Sequence, residues 1–242
     1  GYFGVYGQSA SRFAAFSGGD PPNYLIMPLD IGPDLTSDGE YATVRYSSII
    51  TSAECNVFST STDWRPFTAS WLTLDWLAGF RYVGVDEAAS IVIDCCGESG
   101  TYSHVPYGVR TSSNMFGGQI GSRVRWTWER WALEGWAKAG LMGSSLGQSQ
   151  DPLVSVQGGL IRQATSSWRG GVGFVGDINL SAIYRLTDVW GIRAGYNLVW
   201  LEGLALAPDQ FDFRAVDGAG TSIAGGGGIF LHGANLGLEA RW

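Results

Sequence analysis

Strict alternation of apolar and polar residues recurs along most of this chain and limits what it can fold into. In the stretch WLTLDWLAGFRYVGV, the even positions from Leu72 to Tyr82 are almost all apolar, whereas Asp75 and Arg81 occupy odd positions. Successive side chains of a β-strand point to opposite faces, so a period of two predicts strands that are apolar on one face only. The pattern returns in the stretches 116–128, 131–141, 174–186, 192–200 and 230–242. With an aromatic N-terminal piece and a vaguer stretch near 46–58, it predicts about eight strands.

The connections between these strands alternate in length. Tight connections contain the sequences STDWRPF, WERW and LTDVW, and the long ones cover residues 17–39, 95–106, 145–170 and 207–228. If consecutive strands run up and down, all tight turns lie at one end of the sheet and all long loops at the other, as in outer-membrane barrels. We therefore predict a single domain, residues 1–242. Its expected fold is an all-β, transmembrane, antiparallel up-and-down β-barrel with short periplasmic turns and long extracellular loops.

Composition decides which face of the strands meets water. Only 15% of the residues are charged and lysine is nearly absent, whereas soluble domains carry roughly 25% charged residues. A water-facing surface of this size would need many Lys and Glu residues. No stretch approaches the roughly 20 apolar residues of a spanning helix, which leaves a closed barrel as the means of crossing a membrane. The apolar face is therefore expected to meet lipid; a soluble ligand-binding barrel with that face inside is the alternative.

The polar face carries acids and bases in nearly equal numbers. An eight-stranded interior is about wide enough to be filled by side chains, and an unpaired charge held there is costly. We therefore expect these charges to pair across the lumen, a task that suits the planar fork of arginine. The predicted lumen charge network consists of Glu54, Asp75, Arg81, Arg123, Arg125, Glu134, Lys138, Asp177, Arg185, Arg193, Glu239 and Arg241.

Tryptophan recurs at the tight-turn end of the predicted barrel. Trp64, Trp128, Trp131 and Trp190 lie in or beside tight turns, and Trp242 ends the last predicted strand. Because tryptophan favours the membrane–water boundary, we predict a periplasmic aromatic girdle. The alternative is a set of ordinary hairpin-end aromatic residues in a soluble barrel.

Four stretches of the chain resemble a known family. They are LDWLAGFRYVGVDE, SSNMFGGQIGSRVRW, GDINLSAIYRLTDVWGIRAGYNLVWLEGLALAPDQ and IFLHGANLGLEARW, which together cover most of the chain from about residue 72 onward. They are similar to the bacterial outer-membrane β-barrel porins of family seven. The resemblance implies a barrel in the bacterial outer membrane and supplies no site residues. The last stretch also resembles the ends of barrels that the outer-membrane assembly machinery inserts, with Trp242 as the aromatic terminus.

Net charge and motif content narrow the function. The formal charge of -7 argues against nucleic acid as a partner. We expect a non-enzymatic structural or interaction protein of the cell envelope that has a largely side-chain-filled lumen and needs neither cofactor nor metal. Its expected partners are outer-membrane lipids, the assembly machinery, and either other envelope proteins or a second copy of the chain. The alternatives are a porin-like channel for passive diffusion of small solutes and a surface hydrolase in the loops.

The protein is expected to act through protruding external loops that are rich in acids. The acids assigned to this rim are Asp20, Asp30, Asp34, Asp38, Glu40, Asp86, Glu87, Asp94, Glu98, Asp209, Asp212 and Asp217. Histidine and cysteine form no catalytic or metal-binding spacing. His232 is expected on the apolar face near the external boundary, and Cys55 on the lipid side of its strand.

Overall fold

The structure, a computed structural model, describes residues 2–15, 39–59, 67–69, 71–96, 102–154 and 159–240. It consists almost entirely of strands, because long alternating stretches rich in aromatic and β-branched residues favour a pleated, half-buried surface. The long strands are β1 (Tyr2–Ala15), β2 (Gly39–Phe58), β4 (Leu72–Cys96), β5 (Tyr102–Trp128), β6 (Trp131–Gln150), β9 (Thr165–Arg185), β10 (Trp190–Leu204) and β11 (Gly227–Ala240). The short elements are β3 (Phe67–Thr68), β7 (Leu153–Val154), β8 (Leu160–Arg162) and a 3-10 helix at Ala207–Gln210.

The eight long strands form one sheet in the order of the chain. The order is β1-β2-β4-β5-β6-β9-β10-β11, every neighbouring pair is antiparallel, and β3 adds a short pairing to β4. The prediction of an up-and-down antiparallel fold with about eight strands is confirmed. The ladders that the structure describes do not include one between β1 and β11, so the expected pairing of the last strand with the first stays a prediction.

Several strands are longer than their alternation suggested. The connections expected at 95–106 and 145–170 are too long, because β4 extends to Cys96, β5 begins at Tyr102, and β6 and β9 meet up to the Gln150–Thr165 pair. A tilted strand needs only roughly 9–11 residues to cross the hydrocarbon of a membrane. Strands of 20 to 27 residues, such as β6 and β5, are therefore about twice as long as a crossing requires.

The sheet is rolled, and its two faces differ in polarity. On β6, Leu133 and Leu141 point to the convex face and are exposed, whereas Glu134 and Lys138 point to the concave face and are buried. Side chains of strands that are not neighbours in the sheet meet across the concave face, for example Arg81 of β4 and Asp177 of β9. Among the described residues, no helix is long and apolar enough to cross a membrane.

The convex face carries a belt of exposed apolar side chains, called the outer belt below. On β5 it extends from Trp128 to Phe116, and on β6 from Trp131 to Leu141. Some 10 residues of tilted strand correspond to a height of about 25 Å, which is the height of the apolar band of a membrane barrel. Beyond Phe116 and Leu141, the outward positions of β5 and β6 are small or polar.

Candidate functional site

Three levels of side chains occupy the concave face between the tight-turn end and the long-loop end. Nearest the tight turns lies a layer of charged residues, called the charge layer. Above it lies an apolar band, and above that lies the connection between β10 and β11, residues 205–226, called the inner loop. The strand register decides which residues face inward, and the inward-facing residues at each height determine the character of that level.

The upper half of the charge layer is a cluster of four charges. The Nζ atom of Lys138 lies 2.9 Å from Glu54 Oε2 and 3.1 Å from Asp177 Oδ2. Arg81 Nη1 lies 3.1 Å from the same Asp177 oxygen, and 4.0 Å from Glu54 Oε2. The side chain of Gln119 donates a further hydrogen bond of 2.9 Å to Glu54. Two acids and two bases thus neutralise one another at a site where Arg81 is only 1% exposed.

Strand register explains this cluster. Glu54 of β2 stands opposite Arg81 of β4, and Lys138 of β6 stands opposite Asp177 of β9. Opposite charges at directly facing positions of neighbouring strands attract each other. Because the sheet is rolled, the two pairs lie next to each other on the concave face. The attraction among the four charges offsets the free-energy cost of removing them from water.

The lower half of the charge layer holds two further groups of ion pairs. Arg123 donates through Nε and Nη2 to Asp75 Oδ2, at 3.2 and 2.7 Å. Arg125 and Arg193 share two acids. A guanidinium nitrogen of each arginine lies 3.7 Å from a carboxylate oxygen of Glu239. Glu134 lies 3.8 Å from Arg125 Nε and accepts a hydrogen bond from Arg193. These arginine side chains keep 27–31% of their surface exposed, so water reaches the lower half.

The structure brings together ten of the twelve residues of the predicted lumen charge network. In the part of the chain that the structure describes, Arg185 has no ion pair; it lines a narrow cleft with Asp188 and Glu239. Arg241 lies outside the described residues. The period-two pattern puts Gln119 on the same face of β5 as Arg123 and Arg125, but the predicted network contains charged residues only and so does not include it.

Part of the predicted aromatic girdle lies outside the described residues, namely Trp64 and Trp242. The other members, Trp128, Trp131 and Trp190, are exposed on the convex face beside the tight turns. Two further exposed tryptophans, at positions 71 and 126, lie at the same end of the sheet.

The apolar band corrects the expectation that the interior is polar throughout. Its nine members come from six of the long strands and include some of the most buried side chains of the protein, with Val83 and Met115 at 0% exposure. The band consists of Ile50, Val83, Val85, Met115, Met142, Val175, Val199, Leu201 and Leu204, with Leu206, Ile229 and Leu231 packed against it. A closely packed interior without water accepts apolar side chains, so inward positions need not be polar.

A bulge at Gly203 directs the inner loop into the concave face. The β10–β11 register shifts by one residue between Glu202 and Leu204, and Gly203 has φ +84. A Cβ atom at this position would lie 2.5 Å from the carbonyl oxygen of Val172, so only glycine fits without a shift of backbone. After the bulge, Leu204 and Leu206 join the apolar band from above.

Buried polar side chains of three strands anchor the inner loop. Glu87 of β4 accepts a hydrogen bond of 2.9 Å from the backbone N–H of Ala207, and Ser113 of β5 accepts one of 3.0 Å from Ala205. From β6, Gln148 Nε2 donates to two loop carbonyls at 3.0 Å, and Gln150 Nε2 donates to a third at 2.7 Å. The tyrosine at position 46 donates to Glu87 and holds its carboxylate in place.

An aromatic cluster fixes the outer half of the loop. Phe211 and Phe213 stack on each other with an interplanar angle of 3°, and each meets the ring of Tyr107 edge-on. Asp212 accepts hydrogen bonds from the Arg214 guanidinium at 2.8 and 2.9 Å, and one from the backbone N–H of Gly220 at 2.8 Å. The Arg214 hydrogen bonds, helped by the Gly220 N–H, hold the pKa of the Asp212 carboxyl well below its usual range.

The inner loop differs from the external loop expected at residues 207–228. Two acids assigned to the external rim also lie elsewhere: Glu87 is buried and anchors the loop, and Asp212 is paired within it. Asp86, Asp209 and Asp217 are exposed as expected. The remaining rim acids are residues whose side chains the structure does not describe: Asp20, Asp30, Asp34, Asp38, Glu40, Asp94 and Glu98.

Two further chemically active side chains that the structure describes, His232 and Cys55, lie on the convex face. His232 forms a hydrogen bond of 2.6 Å through Nδ1 with the hydroxyl of Tyr196, and Cys55 is exposed with a free thiol. Among the described residues, no group of three His, Cys, Asp or Glu side chains is placed to hold a metal ion.

Comparisons with known proteins identify the family. A search of curated proteins and a search of solved structures returned no match. A family model described as Putative beta barrel porin-7 (BBP7) matches residues 39–242, which is most of the chain. The chain therefore belongs to the Putative beta barrel porin-7 family.

Proposed function

We propose that this protein is a non-enzymatic outer-membrane barrel whose lumen is sealed by its own side chains, and that it serves as a structural or interaction protein of the cell envelope. The observation that carries the proposal is the anchoring of the inner loop to β4, β5 and β6 above a continuous apolar band.

The three levels oppose solute passage for different reasons. The inner loop occupies the long-loop end of the concave face, where its backbone is held by buried side chains such as Glu87 and Gln148. The apolar band offers no polar partner to an ion that would have to leave water. Below it, Arg81 and Lys138 are committed to Glu54 and Asp177, so these two cations do not require a mobile counter-ion.

The surfaces that remain for function are the convex face and the external loops. The outer belt suits contact with outer-membrane lipids, and the assembly machinery is the proposed partner that inserts the barrel. Other envelope proteins, or a second copy of the chain, are the proposed partners of the loops. The exposed acids Asp86, Asp209 and Asp217 give this end of the protein part of its negative charge.

Single-channel recording in planar bilayers tests the seal. Purified barrel, verified as folded by its heat-dependent shift on a gel, is expected to give no steady conductance steps at low voltage. Steady steps from the unaltered protein would overturn the sealed-lumen proposal.

A porin-like channel for small solutes is the second candidate. It is favoured by the family description and by the partly exposed side chains of Arg123, Arg125 and Arg193, which make the lower half of the concave face wet. In this case the inner loop would be a movable gate. Replacing the loop by a short Gly-Ser linker separates the two: a gated channel would then conduct, whereas a lumen filled by the apolar band would stay closed.

A further inference from the structure

Beyond the outer belt, the convex face carries a depression of about 500 Å³ that no function described above uses. Two arginines line it, Arg45 on β2 and Arg110 on β5, and both are exposed. The strand between them contributes only small side chains, so the surface is hollow there. The small residues at this depression are Ser47, Ala88, Ser90 and Gly108.

A second depression, of about 490 Å³, adjoins the first. Both depressions share Ser47, Ala88 and Arg110, so Arg110 stands in the middle of one groove, whose lining residues come from six strands, from β1 to β9 in the order of the sheet. Asp86 and Ser149 line the second depression. The groove is therefore long and shallow, with cations, carboxylates and hydroxyls along it.

The charge of Arg110 is available to a ligand. Its Nη1 atom lies 3.4 Å from Asp151 Oδ1, but the two side chains are 69% and 41% exposed. Water screens an ion pair that is this exposed, so the pair contributes little to the free energy of folding. An incoming anion can therefore compete with Asp151 for the Arg110 guanidinium.

We propose that this groove binds the phosphorylated saccharide headgroup of an outer-leaflet glycolipid. Arg45 and Arg110 would bind the phosphates, since a guanidinium donates two parallel hydrogen bonds to such a group. The carboxylates of Asp86 and Asp151 accept hydrogen bonds from sugar hydroxyls. The small side chains between the arginines let the flat face of a sugar ring approach the strands.

The position of the groove supports a membrane-anchored ligand over a free one. Arg110 lies six residues beyond Phe116, the last large apolar residue of the outer belt on β5, and Arg45 lies four residues beyond Ile49. Six strand residues correspond to about 20 Å along the strand and, with a strand tilt near 40°, to about 15 Å in height. A glycolipid whose acyl chains pack on the belt therefore places its sugars at the groove. The inference rests on the proposed outer-membrane location.

The test measures binding to the full-length barrel in detergent by native mass spectrometry. The probes are a lipopolysaccharide that lacks its O-chain, the same molecule after enzymatic dephosphorylation, and the free phosphorylated core oligosaccharide. Wild-type protein is expected to bind the intact glycolipid most tightly, and dephosphorylation is expected to weaken binding about tenfold or more. That comparison needs no variant.

Variants localise the site. The double variant Arg45→Gln/Arg110→Gln and the groove-filling variant Ala88→Trp are expected to lose about tenfold or more in affinity. The matched control is Arg130→Gln, which removes an exposed arginine from the tight turn at the opposite end and is expected to bind as wild type. The heat-dependent gel shift verifies folding of each variant.

Two results would overturn the inference. Equal affinity for intact and dephosphorylated glycolipid would remove the role of the arginines, and equal affinity for the free oligosaccharide would show a soluble saccharide as ligand. Failure of the sealed-lumen proposal would be visible separately, as conductance of a barrel that still binds glycolipid.

Discussion

Glu87 on β4 holds the inner loop through the backbone of Ala207, with 2.9 Å between Oε2 and the amide nitrogen and 120 residues between the two positions in the chain. The same carboxylate accepts the hydroxyl of Tyr46. One buried acid thereby joins two strands of the wall to the loop that occupies the long-loop end of the concave face.

Glu87→Leu is expected to loosen the inner loop. The variant leaves the Ala207 N–H and the Tyr46 hydroxyl without their acceptor, and a buried unsatisfied donor costs about 1–3 kcal/mol. The measurement is the free energy of unfolding in urea from lipid vesicles, together with protease cleavage within residues 205–226. Asp86→Asn, next to it on the exposed face, serves as control and should change neither; a Glu87→Leu protein with wild-type stability and cleavage would contradict the anchoring role.

Arg81→Leu is expected to lower the free energy of unfolding by about 3 kcal/mol, the cost of removing one partner from a buried ion pair. The loss leaves Asp177 and Glu54 with Lys138 as their shared cation. Arg123→Leu should cost less, because its side chain is partly exposed. The temperature at which the band of the folded protein disappears on a gel ranks the two variants by stability. If Arg81→Leu were as heat-resistant as wild type, the four-charge cluster would contribute nothing to stability.

Gly203→Ala tests the bulge that turns the chain inward. The added Cβ would lie 2.5 Å from the Val172 carbonyl oxygen, in a backbone conformation of positive φ. Gly218→Ala is the matched control, since Gly218 also has positive φ but no atom lies within 4 Å of the point that its methyl group would occupy. We expect Gly203→Ala to destabilise the barrel clearly more than the roughly 1 kcal/mol typical of alanine at such a φ. Equal losses would show that the close approach to Val172 is easily relieved.

Stability should fall at acid pH through Asp212. Because its pKa is depressed in the folded protein, its contribution is fully present above the unfolded value, about 4, and is lost as the pH falls through the folded value. Protease cleavage of the inner loop should therefore stay constant from pH 7 to 5 and increase only in strong acid. Asp212→Asn, which lacks the titrating group, should show a flatter profile; identical profiles would exclude this carboxyl as the cause.

Alternation in the sequence was sufficient for the strand order and for most of the charge layer. A one-residue shift in a strand turns every side chain to the other face, so Asp75 and Arg81 could be assigned to one face from their spacing alone. Which charges pair depends on the rolling of the sheet, which brings β4 to β9. Spacing along single strands contains no information on that contact.

The inner loop and the apolar band were missed for a physical reason. Val83 and Val85 are inward residues that break the polar alternation of β4, and spacing along one strand does not show that apolar residues of other strands meet them. In the connection after β10, Leu206, Phe211 and Phe213 are more apolar than an external loop requires. Such residues need a surface to pack on, and that surface exists only inside the barrel.

The long-range anchoring of the inner loop has a consequence for biogenesis. Ala207 docks on Glu87, 120 residues earlier, and Gly220 docks on Gln148, 72 residues earlier. The loop can therefore take its place only after the strands from β4 to β10 stand side by side. An intermediate with paired strands and an undocked inner loop would therefore precede the folded state, and in that intermediate the apolar band and the charge layer alone would close the lumen.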